Sequence, residues 1–180
     1  QLTPVNGTGT DYWTIVYLSV GEKIKFAPQA DWGNDFGGQA TVNDEAGAGL
    51  VADTDNNLEA KNAGWYLLHI VNGVERIVNV LAPNVYLTGD TAPGGWSIDE
   101  TGKFVVPETK DGEFVSPAFV ASKEVRMCVN FGGYDWWKVE FIVLDGKIVY
   151  RGNGGDQERV SVSEGQKAYL NFTDGTGTFK

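Results

Sequence analysis

The run Phe141-Ile142-Val143-Leu144-Asp145-Gly146-Lys147-Ile148-Val149-Tyr150 sets two β-branched, aromatic-rich stretches on either side of an Asp-Gly pair. Both turn residues tolerate positive φ, so the pattern predicts a two-residue β-hairpin. Asn72-Gly73 separates two further strands in the same way. Working outward, short runs rich in Val, Ile, Tyr and Phe are punctuated by turn dipeptides and 24 glycines. Strands are predicted over 13–20, 22–27, 64–71, 76–81, 85–89, 104–106, 114–120, 124–130, 139–144, 147–150, 159–162 and 167–172. No convincing amphipathic helix interrupts them, and the chain reads as all-β.

Composition narrows the function. Of 180 residues, 42% are hydrophobic and 12% aromatic, ample for a packed core. A net charge of −10 opposes nucleic-acid binding, because phosphates need a basic footprint. No apolar run approaches the ~20 residues that span a bilayer as a helix. The single cysteine, Cys128, lies in an alternating run and reads as a small buried hydrophobe.

A repeat organises the chain. Residues 13–28 align with 114–129 at a constant offset of 101, which pairs Leu18 with Phe119, Ile24 with Val125, Lys25 with Arg126 and Phe26 with Met127. Asp31-Trp32 falls near Asp135-Trp136, and Gly64 matches Gly165. The repeat predicts a boundary at Ala82-Pro83, giving units 1–82 and 83–180. At this offset the counterparts of Val85 to Trp96 would precede Gln1. The first unit is therefore expected to lack its opening strand, as in a chain cut from a longer tandem array.

The segments Asn84-Val85-Tyr86-Leu87-Thr88-Gly89-Asp90 and Ala92-Pro93-Gly94-Gly95-Trp96 resemble the opening of domains in the SusE/SusF family of surface starch-binding lipoproteins from gut Bacteroidetes. Tyr12 to Leu18, Ala63 to Leu67 and the closing 140–172 segment are similar to the same family. The resemblance covers essentially the whole chain. It implies two tandem immunoglobulin-like β-sandwich domains at the cell surface, lipid-anchored to the outer membrane in the full precursor. It further implies non-catalytic α-glucan binding within a glycan-uptake system, beside an outer-membrane transporter and companion glycan-binding lipoproteins, with no cofactor.

The candidate chemistry is aromatic. A sugar's C–H face stacked on an indole buries apolar area, while flanking polar groups replace the water on its hydroxyls. The second unit offers Trp96, Tyr134, Trp136 and Trp137 as rings, with Arg126, Lys138, Asn130 and Asp135 as polar partners. By position, the resemblance matches Trp96 and Trp136 to the family's loop aromatics and Arg126 to its basic residue. On an extended backbone, adjacent Trp136 and Trp137 would point to opposite faces. Alternation leaves open which is outward, and Trp136 is the expectation. Trp96 could equally be a plug closing the sandwich. The first unit offers Trp32 and Lys25, with Gln29, Asp31 and Asn34 nearby, whereas Trp13 and Trp65 fit sheet-face packing.

Other constellations read as structural. Residues 53–57 alternate oxygen ligands but lack an EF-hand's central glycine and late glutamate. His69 has no second histidine, and the glycine-rich 152–156 stretch lacks a following helix and Lys-Ser/Thr. Glycoside hydrolysis needs two carboxylates across the scissile bond, and nothing in the sequence pairs any. The alternative to glycan binding is a structural spacer or protein-interaction module of an outer-membrane uptake complex.

Overall fold

The structure is a computed structural model that describes residues 1–28 and 33–180. By internal contacts the chain divides into two compact units, Gln1–Pro4 with Thr10–Ala82, and Val5–Gly9 with Pro83–Lys180. Residues 5–9, which the repeat assigned to the first unit, thus belong to the second. Short range along the chain does not decide packing; Asn6 finds its partners in the second unit, as described below.

The first unit contains β1 (Thr3–Pro4), β2 (Asp11–Leu18), β3 (Lys23–Ile24), β4 (Thr41–Asp44), β5 (Val51–Ala52), β6 (Leu58–Glu59), β7 (Gly64–Asn72) and β8 (Arg76–Leu81). One sheet runs β1-β2-β7-β8-β4 and the other β3-β6-β5. All pairings are antiparallel except β4 with β8, which are parallel. Leu18, Phe26, Phe36, Leu58, Tyr66, Leu68, Ile70, Val78 and Val80 form its core. Their period-2 spacing on β2, β7 and β8 puts them on one sheet face.

The second unit contains β9 (Val85–Thr88), β10 (Phe114–Val115), β11 (Arg126–Val129), β12 (Glu140–Leu144), β13 (Lys147–Tyr150), β14 (Ala168–Asn171) and β15 (Thr176–Phe179). They run in the order β10-β14-β15-β13-β12-β11-β9, all antiparallel. β13 joins β15 through the register pair Lys147 with Thr176. Phe172 packs edge-on against Phe114 and Phe141, at 4.9 and 5.8 Å. Among the described residues the chain is all-β, with 3-10 turns at Glu100–Gly102 and Trp136–Val139.

The hairpin forms as read. Asp145 and Gly146 have φ of 49° and 75°, and Leu144 pairs with Lys147. The repeat is reproduced in backbone register. Trp13 pairs with His69 as Phe114 pairs with Leu170, each partner displaced by the same offset. Phe26 bridges Phe36 where its counterpart Met127 bridges Phe141. On its other side Met127 also pairs with Leu87 of β9. Among the described residues no strand holds that place beside Phe26. A groove lined by Leu2, Tyr12, Phe26, Ala27, Phe36 and Ile70 adjoins Phe26.

Several predicted strands shrink. Residues 114–120 keep only Phe114–Val115 as regular strand, because Pro117 has no N–H for the ladder. The 104–106 and 159–162 runs contribute isolated bridges, Val105 to Val115 and Ser161 to Glu124. Conversely, β1, β4, β5, β6 and β15 went unpredicted. The residues of β4 and β5 are mostly exposed, and without a buried face there is no alternation to read.

Candidate functional site

Strand β9 delivers the first ring. After Thr88, Gly89 turns the chain at φ 86°, a conformation that favours glycine. Its N–H donates to the Gly95 carbonyl (2.8 Å), and its own carbonyl accepts from Ala92 N–H (3.0 Å). This closes a tight loop that leaves Trp96 at its exit, 57% exposed. A β-carbon at position 89 would lie 3.6 Å from the Trp96 ring and 3.3 Å from Arg126 Cγ. The missing side chain lets both lie against the backbone.

The second ring comes from the turn at Trp136–Val139. This backbone is not extended, so the expected opposition of Trp136 and Trp137 gives way to the roughly 120° rotation per residue of a 3-10 turn. Trp136 meets Trp96, with ring centroids 5.6 Å apart and planes inclined by 49°. Trp137 turns elsewhere: Lys138 Nζ lies 5.4 Å and the Arg151 guanidinium carbon 5.1 Å from its ring centroid. Cation–π contact on an indole is the strongest of its class. Trp136 thus lies against Trp96, while Trp137 lies against two cations.

Beside Trp96 lies an open recess of about 280 Å³ lined by Asp90, Trp96, Lys123, Glu124, Arg126 and Ser161. Asp90 accepts from Lys123 Nζ at 2.9 Å. That hydrogen bond and the lysine's charge, with the Trp96 indole N–H also donating, hold the Asp90 carboxyl below its ordinary range. Arg126, opposite Thr88 in the sheet, ion-pairs with Glu124 Oε2 at 3.0 Å. Its Nε is buried with no hydrogen-bond partner among the described residues. The recess thus joins a flat apolar ring to fixed donors and acceptors, the combination that sugar hydroxyls require.

Of the sequence candidates, Trp96 and Arg126 line this recess, and Trp136 touches Trp96 without lining it. Tyr134 packs edge-on against Phe131 at 5.5 Å, away from the recess lining. Asn130 and Asp135 are exposed and contribute nothing to that lining. Lys25 in the first unit ion-pairs with Asp35 at 3.2 Å. Trp32, with Gln29 and Asp31, lies outside the described residues. Trp13 and Trp65 are buried, at 0% and 6% exposure. Sequence reasoning missed Asp90, Lys123, Glu124 and Ser161. The charge cluster at 123–126 was the available signal for two of them, while Ser161 reaches the recess through its bridge to Glu124.

The remaining polar groups are committed elsewhere. His69 sits between Asp11 Oδ1 (2.9 Å) and the Asn79 amide (3.0 Å). Asp53 accepts from the Asn57 amide, from Lys23 and from the backbone N–H groups of Asn57 and Asp55, which together hold its carboxyl far below the usual range. Glu140, 2% exposed, pairs with Arg151 (3.2 Å) and Arg159 (2.8 Å), and Arg159 also pairs with Asp156. No group of three or more potential metal ligands occurs among the described residues.

Against known proteins, the family model described as SusF/SusE starch specific CBMs matches residues 1–77 and 84–178. The chain is 50% identical over 184 aligned residues to "Outer membrane protein SusF" of Bacteroides thetaiotaomicron, covering 98% of this chain and 38% of that protein. It is similar to the crystal structure of SusF from the same organism, with a TM-score of 0.93, 47% identity, and coverage of 99% of this chain and 42% of that one. The chain therefore spans about two fifths of the length of these relatives. With the family model matching both segments of the all-β chain, the protein belongs to the SusF/SusE family of starch-specific CBMs.

Proposed function

We propose that this chain binds polysaccharide of the starch type, an α-glucan, without hydrolysing it. The observation that carries the reading is the inclined Trp96–Trp136 pair beside the recess rimmed by Arg126, Asp90 and Lys123. Two rings inclined by 49° fit a chain whose successive sugars turn their faces, as an α-linked glucan does. A flat β-linked chain would favour coplanar rings. Arg126 and Asp90 supply donors and acceptors for the hydroxyls at the sugar's edge, with Trp136 outward and Trp137 holding the turn.

The family match and the printed name of the SusF relative support a place at the bacterial outer membrane, facing outward as part of a glycan-uptake system. The protein would be lipid-anchored in its precursor and would work beside a transporter and companion glycan-binding lipoproteins. The two units, divided at Ala82-Pro83 but with residues 5–9 counted in the second, would be separate sandwich modules. Individual sites would be weak and gain strength from multivalency along a polymer.

Native affinity electrophoresis tests the reading, using gels containing soluble starch, other α-glucans and unrelated polysaccharides. Retardation by starch, lost in Trp136→Ala, is expected. No retardation on any glycan would favour a protein-interaction module instead, and an unchanged shift in the variant would move the site elsewhere.

A further inference from the structure

The Trp136–Val139 turn presents a binding ring on a short stretch of backbone. It is four residues long, and its N-cap Asp135 makes no side-chain capping bond. A short turn also leaves its final carbonyls without intrahelical partners. One of these, the Lys138 carbonyl, is satisfied by a residue far away in sequence: the Asn6 backbone N–H donates to it at 3.0 Å.

The Asn6 side chain completes the connection. Its Nδ2 donates to the Gly152 carbonyl at 2.7 Å and the Gly154 carbonyl at 3.0 Å. Both partners are acceptors, so the amide orientation is fixed by chemistry, and both N–H groups are used. Residues 152–154 follow directly on Arg151, whose guanidinium stacks on Trp137 and ion-pairs with buried Glu140. Asn6 therefore holds the turn on one side and, on the other, the loop whose arginine clamps the turn's second tryptophan. All these residues lie in the second unit.

We infer that Asn6 is a positioning residue for the aromatic platform, fixing Trp136 against Trp96 through the Lys138 carbonyl and the 152–154 loop. The inference rests on the glycan-binding reading for its consequence, but its geometry stands apart from it. Asn6→Ala removes both side-chain bonds, and Asn6→Asp sets a carboxylate against two carbonyl oxygens.

Two measurements test it. Hydrogen exchange at amides 134–140 should quicken in Asn6→Ala, and more in Asn6→Asp, with circular dichroism and the unfolding midpoint close to wild type. Calorimetry with maltoheptaose should show affinity weakened about fivefold, in line with the loss of two modest hydrogen bonds acting through a turn. In a Trp136→Ala background Asn6→Ala should cause no further loss, because the ring it positions is gone. Unchanged exchange with affinity within twofold of wild type would overturn the inference, as would an undiminished affinity loss in the Trp136→Ala background. If wild-type protein fails to bind maltoheptaose, the glycan reading falls, and the exchange measurement alone decides whether Asn6 holds the turn.

Discussion

Trp96→Ala gives the most direct quantitative test of the platform. Trp96 keeps 57% of its surface exposed. Taking about 250 Å² for an indole side chain, roughly 140 Å² is free to meet a ligand. A pyranose face covering half of that removes ~70 Å² from water, worth about 1.8 kcal/mol at ~25 cal/mol per Å². Affinity for maltoheptaose should therefore fall roughly twentyfold. The covered part of the ring, roughly 110 Å², sets an upper bound of about 2.7 kcal/mol on the stability lost. Calorimetric titration should accordingly be run well below the variant's unfolding midpoint, with circular dichroism showing the fold intact. An affinity within twofold of wild type, in a folded variant, would refute the assignment of Trp96 to the binding surface.

Further outcomes follow from the surroundings of the site. Glu140→Ala strips the buried carboxylate from Arg151 and Arg159 and should cost about 3–5 kcal/mol, read as a lower denaturation midpoint. The Asp90 carboxyl titrates below its ordinary range, so its hold on Lys123 and Trp96 is complete above the unfolded value of about 3.9 and is lost as pH falls through the lower folded value. Starch affinity should thus be level from about pH 5 to 8 and decline only as pH falls through the lowered folded value, and Asp90→Asn should lose that part of the decline. Burial pushes the Cys128 thiol well up, so a thiol reagent should leave it unmodified in native protein and label it on unfolding. Rapid labelling of the native state would contradict its place in the core.

Much of the fold could be read without coordinates because its signals are local. Asp145-Gly146 needs only its own positive φ values and two apolar runs to specify a hairpin. The offset of 101 carried over into matching registers at Trp13–His69 and Phe114–Leu170, since a period-2 pattern with one buried face tolerates no slip. The exposed strands β4 and β5 carry no such pattern and were invisible. The candidate site divides along the same line. Trp136 and Arg126 stood out by residue type and repeat position, and Trp96 by residue type and the family resemblance. Asp90 and Ser161 did not, because their roles depend on which strands the fold brings together.

The amino-acid sequence by itself determined an acidic, all-β, aromatic-rich chain with an internal repeat, and its resemblance to a glycan-binding family. These properties reside in composition, periodicity and short motifs. Only the tertiary structure decided which neighbours the paired tryptophans meet. The alternation rule presumes an extended backbone, whereas Trp136 and Trp137 sit on a 3-10 turn, one ring against Trp96 and the other beside Lys138 and Arg151. That turn is held by Asn6, more than a hundred residues upstream. No local pattern encodes such a contact, because the hydrogen bonds exist only once the chain has closed around them.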